Sequence, residues 1–564
     1  MRRAQRRWPL LTAALAVGAM VLSACGGGQS GDKNAQVREM GTADINAQPL
    51  SNIKDGGSLK LALSQWPQQW NYNQVDGASV DLNTVYRAMM PEPFINQPDG
   101  TVKINKNLLE SAKLTSNSPE VVEYKINPKA RWSTGQPITW NDFKADWVAQ
   151  NGKNPAYQPA STTGWDSIKS VEKGASDRDV KITFAKKFAE WKGLTTFLFP
   201  ASEYKNPQMF NKGWISKIRA TAGPFRVKKL DNTANTLTIE RDPNWWGPKP
   251  KLDSITFRVV ATTEQPQSFQ EGAIDAVDIG PDVATFQSMR NNPNAEVRKA
   301  LAPDWRVLNF SAKPGTPLSD PKVRAAMFRG IDRAALGKAT IGQIVPDVRP
   351  LENHIYVEGQ KGYEPTGKAY DHNPAEAKKE LDAAGWKLPA GKQVRQKNGK
   401  QLTVALTIPS DTSISKNEGL RLQEQLKQIG VNMTLKTVDL NAWQSQYLTV
   451  GNFQLLNMTW EGTPFPVSSS SSIYTYNPKS INQNFGRVPD TTGVNALFAK
   501  ANSELDDQKR MQLGNDIDKA IWHEAFSLPL YQRPDAWGVR KDLANFGAFG
   551  FSEPDWTKVG FMKQ

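Results

Sequence analysis

Residues 402–435 read LTVALTIPSDTSISKNEGLRLQEQLKQIGVNMTL, and this stretch decides the fold class. Its beginning, Leu402–Ile408, is rich in apolar and β-branched residues and predicts a strand. A helix follows, with apolar residues on one face and a glycine at its end: Leu422, Leu426, Ile429 and Gly430. Residues 431–435 predict the next strand. This order predicts a right-handed parallel crossover, in which ligands bind beyond the carboxyl ends of the strands.

The pattern of predicted secondary structure changes near residue 318. Before it, alternating runs predict strands separated by turns at Gly-Pro and Asp-Pro pairs. These runs are Leu59–Leu63, Val121–Ile126, Val180–Phe184, Leu237–Glu240 and Ile255–Val260. Thr139 or Asn141 is placed to cap a short helix over 142–149. After residue 318, Asp320-Pro321 and Asn373-Pro374 begin helices. The chain is therefore predicted to be α/β.

The amino terminus has the layout of an export signal. Arginines at Arg2, Arg3, Arg6 and Arg7 precede an apolar run that ends in Leu22-Ser23-Ala24-Cys25. The run is about 13 residues long, and a membrane-spanning helix needs about 20. Leu-Ser-Ala-Cys resembles the bacterial lipobox, which implies removal of residues 1–24 and acylation of Cys25. The general secretory route and the twin-arginine route both remain open.

Cys25 is the single cysteine of the 564 residues, so a disulfide within the chain is excluded. Residues 25–55 lack periodicity and predict a flexible tether. A lipid on Cys25 places the protein at the outer face of the cytoplasmic membrane.

Composition indicates a soluble globular body. Apolar residues make up 38% and charged residues 22% of the chain, and the 18 tryptophans suit a ligand cleft as well as a core. The net charge of +14 is spread along the chain among acidic residues. This favours a solvated surface near anionic lipid headgroups over binding of nucleic acid.

Motifs of catalysis and metal binding are missing from the sequence. The three histidines are far apart and have no partner at metal-ligand spacing: His354, His372 and His523. Neither a phosphate-binding glycine loop nor a serine nucleophile elbow occurs. We expect no cofactor, no metal site and no enzyme activity, although a carboxylate pair in an exported hydrolase stays open.

Several segments occur in the order that one family shows. They are Gly56–Leu63, Val122–Trp132 with Asn141–Phe143, Ala222–Phe225, Arg241–Gly247, Gly272–Asp275, Val323–Ala326 with Ile331–Arg333, and Leu528–Tyr531. Together they resemble the family 5 extracellular solute-binding proteins of ABC importers, the subgroup for peptides, nickel complexes and related solutes. The resemblance covers nearly all of residues 56–564.

The resemblance implies a periplasmic-binding-protein fold with two lobes joined by a hinge. The first lobe would comprise 56–300 and 525–564, with an extra subdomain at about 76–204. The second lobe would comprise 301–524, which agrees with the change in predicted secondary structure near residue 318. The lobes of such a protein close on a solute and dock on a permease, so the expected work is binding and not bond chemistry.

The resemblance also points to one ligand-binding stretch, Asn457–Pro464. In peptide-binding members, a strand pairs with the peptide backbone and leads through a tryptophan to an aspartate that holds the peptide ammonium. The predicted ligand-binding residues here are Thr459, Trp460, Glu461, Gly462 and Thr463. Trp460 and Gly462 fit the pattern, whereas Thr463 stands where the aspartate is expected.

The threonine leaves two interpretations open. Either Glu461 or another acid holds the amine, because an unpaired ammonium in a closed cleft is costly, or the solute is not a simple free peptide. Three aromatic residues are further candidates by position, with core packing as the competing role: Trp66, Trp70 and Tyr531.

The sequence therefore predicts a monomeric, membrane-tethered receptor that captures an oligopeptide and delivers it to an ABC permease. The alternatives are a receptor for a metal chelate, a glycolipid or a signal molecule, and an exported hydrolase.

Overall fold

The computed structural model describes residues 40–410 and 412–563. The predicted signal peptide, Cys25 and the first part of the predicted tether lie outside the described residues. Within the described ranges, none of the helices combines the length and the apolar content that crossing a bilayer requires.

The strands are β1 Ser58–Leu63, β2 Phe94–Asn96, β3 Val102–Ile104, β4 Leu109–Asn117, β5 Glu120–Ile126, β6 Ile168–Lys173, β7 Asp179–Phe184, β8 Phe225–Asp231, β9 Thr236–Arg241, β10 Ser254–Val259, β11 Ala276–Asp278, β12 Ala295–Phe310, β13 Gln396–Lys397, β14 Lys400–Gln401, β15 Thr403–Pro409, β16 Asn432–Val438, β17 Leu455–Glu461, β18 Ser527–Arg540, β19 Leu543–Ala544 and β20 Gly560–Phe561.

The α-helices are α1 Val80–Tyr86, α2 Trp140–Gln150, α3 Pro207–Lys212, α4 Gln265–Gln270, α5 Val283–Asn291, α6 Pro321–Gly330, α7 Arg333–Ile341, α8 Pro374–Ala383, α9 Ser413–Gln428, α10 Leu440–Ala442, α11 Pro466–Tyr474, α12 Val494–Ser503 and α13 Asp507–Glu524. A π-helical turn, Trp443–Leu448, follows α10, and short 3-10 turns include Trp191–Gly193.

Three sheets carry the architecture. One four-stranded sheet has the order β1-β10-β9-β8, and a second, antiparallel one has the order β4-β5-β7-β6. The six-stranded sheet has the order β11-β18-β12-β17-β15-β16. The α/β prediction is confirmed, because strands and helices alternate along the chain and the strands form mixed sheets.

The parallel strand–helix–strand unit predicted from residues 402–435 is confirmed. β15 and β16 pair in parallel, from Thr403 opposite Asn432 to Pro409 opposite Val438, and α9 connects them. Leu422 and Leu426 are buried, and Gly430 follows the helix with a φ of 83°, which glycine adopts without strain.

The predicted helix starts are also confirmed. Asp320 accepts a hydrogen bond from Lys322 N at 2.9 Å and caps α6, and Asn373 caps α8. Thr139 is the residue before α2, and its N–H donates to Asp142 at 2.7 Å. This capping box fixes where α2 begins and therefore which face Asp146 and Gln150 occupy.

Three buried clusters make up most of the apolar core, and the third includes Trp305, Trp460 and Val467. The first draws mainly on residues 59–257 and 539–561, and the second mainly on residues 260–536. The long strand β18 contributes Ala536 to the second cluster and Val539 to the first. The lobe boundaries near residues 300 and 525 stay predictions.

Candidate functional site

A cavity of about 510 Å³ is lined by two distant parts of the chain. The first wall consists of the lining residues between Tyr72 and Thr196. The second wall consists of lining residues that follow β17: Thr463, Pro464, Phe465, Ser468, Ser469 and Ser472. Each wall belongs to a different lobe of the predicted arrangement, so the cavity occupies the position expected of an interlobe cleft.

The second wall is fixed by close approach of its backbone to β12. The N–H of Gly462 donates to the Pro303 carbonyl at 3.0 Å, and a Cβ at Gly462 would stand 2.6 Å from the same oxygen. No real side chain tolerates that separation. Glycine is therefore required for the chain to turn from β17 into the cavity.

The hydroxyl of Thr463 serves the loop itself. It accepts a hydrogen bond from Phe465 N and donates to Ser469 Oγ, both at 3.1 Å. The Thr463 carbonyl accepts from Gln360 Nε2 at 2.9 Å. Thr463 therefore lines the cavity and also prepares the start of α11.

The strand before this loop is mostly buried. Trp460 is 8% exposed, with its ring stacked on Phe485 at a centroid distance of 5.9 Å. Thr459 accepts a hydrogen bond from Arg306 Nη1 at 3.2 Å. Trp460 belongs to the same buried cluster as Val467 of α11, and contact with a ligand stays a prediction for Trp460 and Thr459.

Glu461 is exposed at the end of β17, directly opposite Asp304 in the register of the sheet. Although the side chain remains exposed, the protein around it removes part of its hydration and so raises the pKa of the Glu461 carboxyl, and the nearby carboxylates Asp304 and Glu553 raise it further. Arg533 acts in the opposite direction. Glu461 stands beside the cavity and does not line it, and its predicted role toward an amine remains a prediction.

The first wall contains a charged cluster. Arg87 pairs with Glu92, and it also pairs with Glu553 at 3.3 Å. Burial raises the pKa of the Glu92 carboxyl to about 7, against the attraction of Arg87. Two carboxylates therefore share one guanidinium, and of these Glu92 lines the cavity whereas Glu553 does not.

The first wall also contains a neutral polar group. Asn73, Gln150 and Thr195 line the cavity, and each donates a hydrogen bond to the carboxyl group of Asp146. Asp146 is fully buried beneath them. Burial raises its pKa to about 8, against these hydrogen bonds.

The two walls touch directly. The carboxylate of Glu190, in the first wall, accepts hydrogen bonds from Val467 N at 3.3 Å and Ser468 N at 2.7 Å, in the first turn of α11. A Cβ on Gly193 would stand 2.6 Å from the Phe465 ring, so this ring rests on bare backbone. A buried carboxylate at a helix start is favoured by the free N–H groups and the helix dipole.

The three aromatic candidates pack inside the protein. Trp66 is partly buried, donates to Asn232 Oδ1 at 3.2 Å and meets Trp70 edge-on at 5.3 Å. Trp70 is fully buried. Tyr531 is fully buried too, and its hydroxyl donates to Glu418. Each has a packing role in this structure, and ligand contact stays a prediction for each.

Metal ligands do not gather anywhere among the described residues in groups of three or more histidine, cysteine or acidic side chains. His354 is fully buried, with Nδ1 at 2.6 Å from Asp518 and Nε2 at 2.7 Å from the Ser527 carbonyl. These contacts occupy both ring nitrogens of His354 in the fold.

Sequence reasoning missed the whole first wall. Asn73 and Asp146 are 73 positions apart, and Asp146 and Thr195 are 49 apart. The one local signal was a pair of polar residues, Asp146 inside the short predicted helix 142–149 and Gln150 directly after it. Such residues are common on solvated surfaces, so the signal was too weak to single them out.

Comparisons with known proteins identify relatives of this chain. A family model described as bacterial extracellular solute-binding proteins, family 5 middle, matches residues 103–482. The oligopeptide-binding protein OppA of Mycobacterium tuberculosis is 36% identical over 570 residues, which cover 99% of this chain and 95% of that protein. A probable monoacyl phosphatidylinositol tetramannoside-binding protein of the same species is 26% identical and covers 64% of this chain and 60% of that protein.

Solved structures show the same fold. A periplasmic EDTA-binding protein, EppA, superimposes with a TM-score of 0.83 at 24% identity, over 94% of this chain and all of that one. The oligopeptide-binding protein AppA of Bacillus subtilis, in complex with a nonapeptide, superimposes with a TM-score of 0.72 at 19% identity, over 91% of this chain and all of that one. The predicted solute-binding-protein fold is therefore confirmed.

Proposed function

The chain belongs to the bacterial extracellular solute-binding proteins of family 5, and we propose that it captures an oligopeptide between its two walls for delivery to an ABC permease. The proposed work is reversible binding, in which ligand contacts on both walls favour the arrangement that encloses the ligand. Peptide capture, lipid anchoring, delivery to a permease and the monomeric state are all parts of this proposal.

One observation carries the proposal: distant parts of the chain enclose a single cavity and touch each other at its edge. Glu190 reaches across to α11, and Phe465 reaches across to Gly193. The volume of about 510 Å³ lies within the range of small-ligand sites and suits a few amino-acid residues. A ligand held there contacts both walls at once, as capture by closure requires.

The identity of the solute rests on the relatives and on the lining. The 36% identity to OppA of Mycobacterium tuberculosis supports an oligopeptide. The lining mixes amide and hydroxyl groups with aromatic rings, for example Phe94, Trp165 and Phe188. Polar groups serve a peptide backbone and rings serve varied side chains, so this lining suits a receptor that accepts many peptides.

A second candidate is a solute without a free amine. Thr463 provides no countercharge, and its hydroxyl already bonds within the loop. Two similar proteins have names that refer to such solutes, an EDTA-binding protein and a probable glycolipid-binding protein. This candidate covers metal chelates and glycolipids.

Mass spectrometry of the protein purified from a bacterial host under native conditions tests the proposal. The expected result is protein carrying intact peptides of a few residues, which are released on unfolding and rebind to the refolded protein. Recovery of metal chelates or glycolipids alone would transfer support to the second candidate. Progressive cleavage of a bound peptide by pure protein would contradict a receptor without catalysis and support a hydrolase.

The lipid anchor has its own test, because Cys25 lies outside the described residues. The Cys25→Ser protein should leave the membrane fraction while its affinity for peptide stays within twofold of wild type. The anchor raises the concentration of the receptor near its permease and adds no contact to the ligand. A Cys25→Ser protein that stays in the membrane fraction would remove the anchor from the proposal.

A further inference from the structure

The polar floor is the part of the cavity formed by Asn73, Gln150 and Thr195 over the buried Asp146. Asn73 Nδ2 lies 2.9 Å and Gln150 Nε2 lies 2.8 Å from Asp146 Oδ1. Thr195 Oγ1 lies 3.3 Å from Asp146 Oδ2. Three lining residues from different segments are therefore hydrogen-bonded to one buried carboxyl group.

These contacts fix which end of each amide points toward Asp146. A carboxyl group carries at most one proton, so it can donate to only one neighbour and must accept from the others. The NH₂ groups of Asn73 and Gln150 are the natural donors to the shared oxygen, and Asn73 also donates to the Phe197 carbonyl at 3.4 Å. The carbonyl oxygens of the two amides are then left for the cavity.

Burying the carboxyl group of Asp146 at this place is unfavourable for the stability of the fold. Its partners in the polar floor are neutral, and burying an acid without a countercharge is unfavourable. Asp142 on the same helix raises its pKa further, and the buried hydroxyl of Tyr204 lies close enough to be affected by its charge. An apolar side chain would fill the space at lower cost, which leaves orientation of the polar floor as the benefit of an acid here.

We propose that Asp146 is a positioning residue that orients the polar floor as hydrogen-bond acceptors for N–H groups of the ligand. Backbone amides and neutral side-chain amides of the ligand fit these acceptors, whereas a ligand carboxylate that faces the polar floor is disfavoured. The inference rests on the proposed capture of peptides and assigns one part of the cavity the chemistry that it selects.

The test compares two pools of tetrapeptides. In both pools three positions are randomised, and the remaining position is Gln in one pool and Glu in the other. Wild-type protein at pH 7 should prefer the Gln pool by about tenfold, since a misfitted buried polar group costs about 1–3 kcal/mol. Asp146→Leu frees the amides to turn and should reduce the preference to less than threefold. Asp177→Asn, an exposed change away from the cavity, is the matched control.

The conservative variant Asp146→Asn separates positioning from packing. Its oxygen accepts from Asn73 and Gln150 and its NH₂ donates to Thr195, so the preference for the Gln pool should persist. In wild type the preference should increase as pH rises through about 8, because ionised Asp146 repels the Glu pool. In Asp146→Asn this increase should be smaller, while other charges that line the cavity affect both proteins equally: Arg87, Glu92, Glu190 and Lys192.

Each outcome decides the inference. A full preference for the Gln pool in Asp146→Leu, or the same pH profile in wild type and Asp146→Asn, would overturn it while peptide capture stands. If Asp146→Leu does not fold, Gln150→Met gives the same readout, because it removes one acceptor from the polar floor. A folded wild-type protein that binds neither pool would contradict the proposed function itself.

Discussion

The two walls of the cavity are built in opposite ways. The second wall is one continuous loop and helix start, held by backbone contacts at Gly462 and by the hydroxyl of Thr463. The first wall is assembled from separate segments, held by side-chain hydrogen bonds to Asp146 and by ion pairs of Arg87. A local motif can therefore identify the second wall, whereas only the folded chain brings the first wall together.

The largest effects are expected where the two walls touch, first where the Phe465 ring rests on the backbone of Gly193. In Gly193→Leu, the new Cβ would stand 2.6 Å from the Phe465 ring, and the rest of the side chain would hold the walls apart. Overpacking costs about 1–3 kcal/mol, so peptide affinity should fall by roughly 5- to 150-fold. Isothermal titration with a peptide that wild type binds measures the change.

The second wall provides the control for this variant. Phe465→Ala in the Gly193→Leu background removes the clashing ring and should recover part of the lost affinity. Affinity of Gly193→Leu within twofold of wild type would mean that the walls need not approach each other to bind.

A loss of comparable size is expected where the Glu190 carboxylate of the first wall accepts hydrogen bonds from the second wall. Glu190→Ala leaves the N–H groups of Val467 and Ser468 without their acceptor at the start of α11. Hydrogen bonds to charged groups contribute about 1.5–3 kcal/mol, so affinity should fall by roughly 10- to 150-fold, mostly through faster dissociation. Stopped-flow release of a fluorescent peptide measures it. Glu172→Ala, an exposed acid on β6, should release peptide at the wild-type rate.

Thr463→Asp tests the difference between the walls from the side of the ligand. An aspartate can accept from Phe465 N and Ser469 Oγ as the threonine oxygen now contacts them, so the loop should keep its shape. The added charge should tighten binding of free-amine peptides by about tenfold and leave N-acetylated peptides unchanged. An equal gain for both kinds of peptide would mean that the ammonium lies elsewhere, for example near Glu461.

The sequence was informative where structure depends on neighbours along the chain. The parallel pair β15–β16 followed from periodicity in residues 402–435, and the caps of α2, α6 and α8 followed from single residues. The departure at Thr463 was visible because the rest of its motif is contiguous. The polar floor was not visible, because Asn73, Gln150 and Thr195 meet only through the tertiary fold.

The aromatic candidates show a different limit. Trp66, Trp70 and Tyr531 were selected because they end strands or follow a proline near the predicted hinge. Large rings at such positions serve a core as well as a ligand, and the sequence contains nothing that separates these roles. In the structure Trp70 and Tyr531 are fully buried, and the decisive quantity, solvent exposure, depends on the whole fold.

The buried acids of the first wall should give the stability of the protein an unusual dependence on pH. Burial raises the pKa of Asp146 to about 8 and that of Glu92 to about 7, above their ordinary values near 4. Their protonated forms are favoured in the folded state, so this contribution is complete below about pH 4 and is lost as pH rises through 7–8. The unfolding temperature should therefore fall between pH 5 and 8.5, and fall less in Asp146→Asn. An identical slope in both proteins would contradict the buried, uncompensated state of Asp146.

The smallest effect on binding is expected at Tyr531, which belongs to neither wall. Its hydroxyl donates to Glu418, whose carboxylate also accepts from Arg306 Nε at 3.0 Å and Asn457 Nδ2 at 2.7 Å. Tyr531→Phe should lower the free energy of unfolding by about 1.5–3 kcal/mol, because the buried carboxylate loses one donor. Peptide affinity should stay within twofold, since Glu418 keeps Arg306 as its partner and Tyr531 does not line the cavity. A tenfold loss of affinity with unchanged stability would instead place Tyr531 in contact with the ligand, as its position in the sequence first indicated.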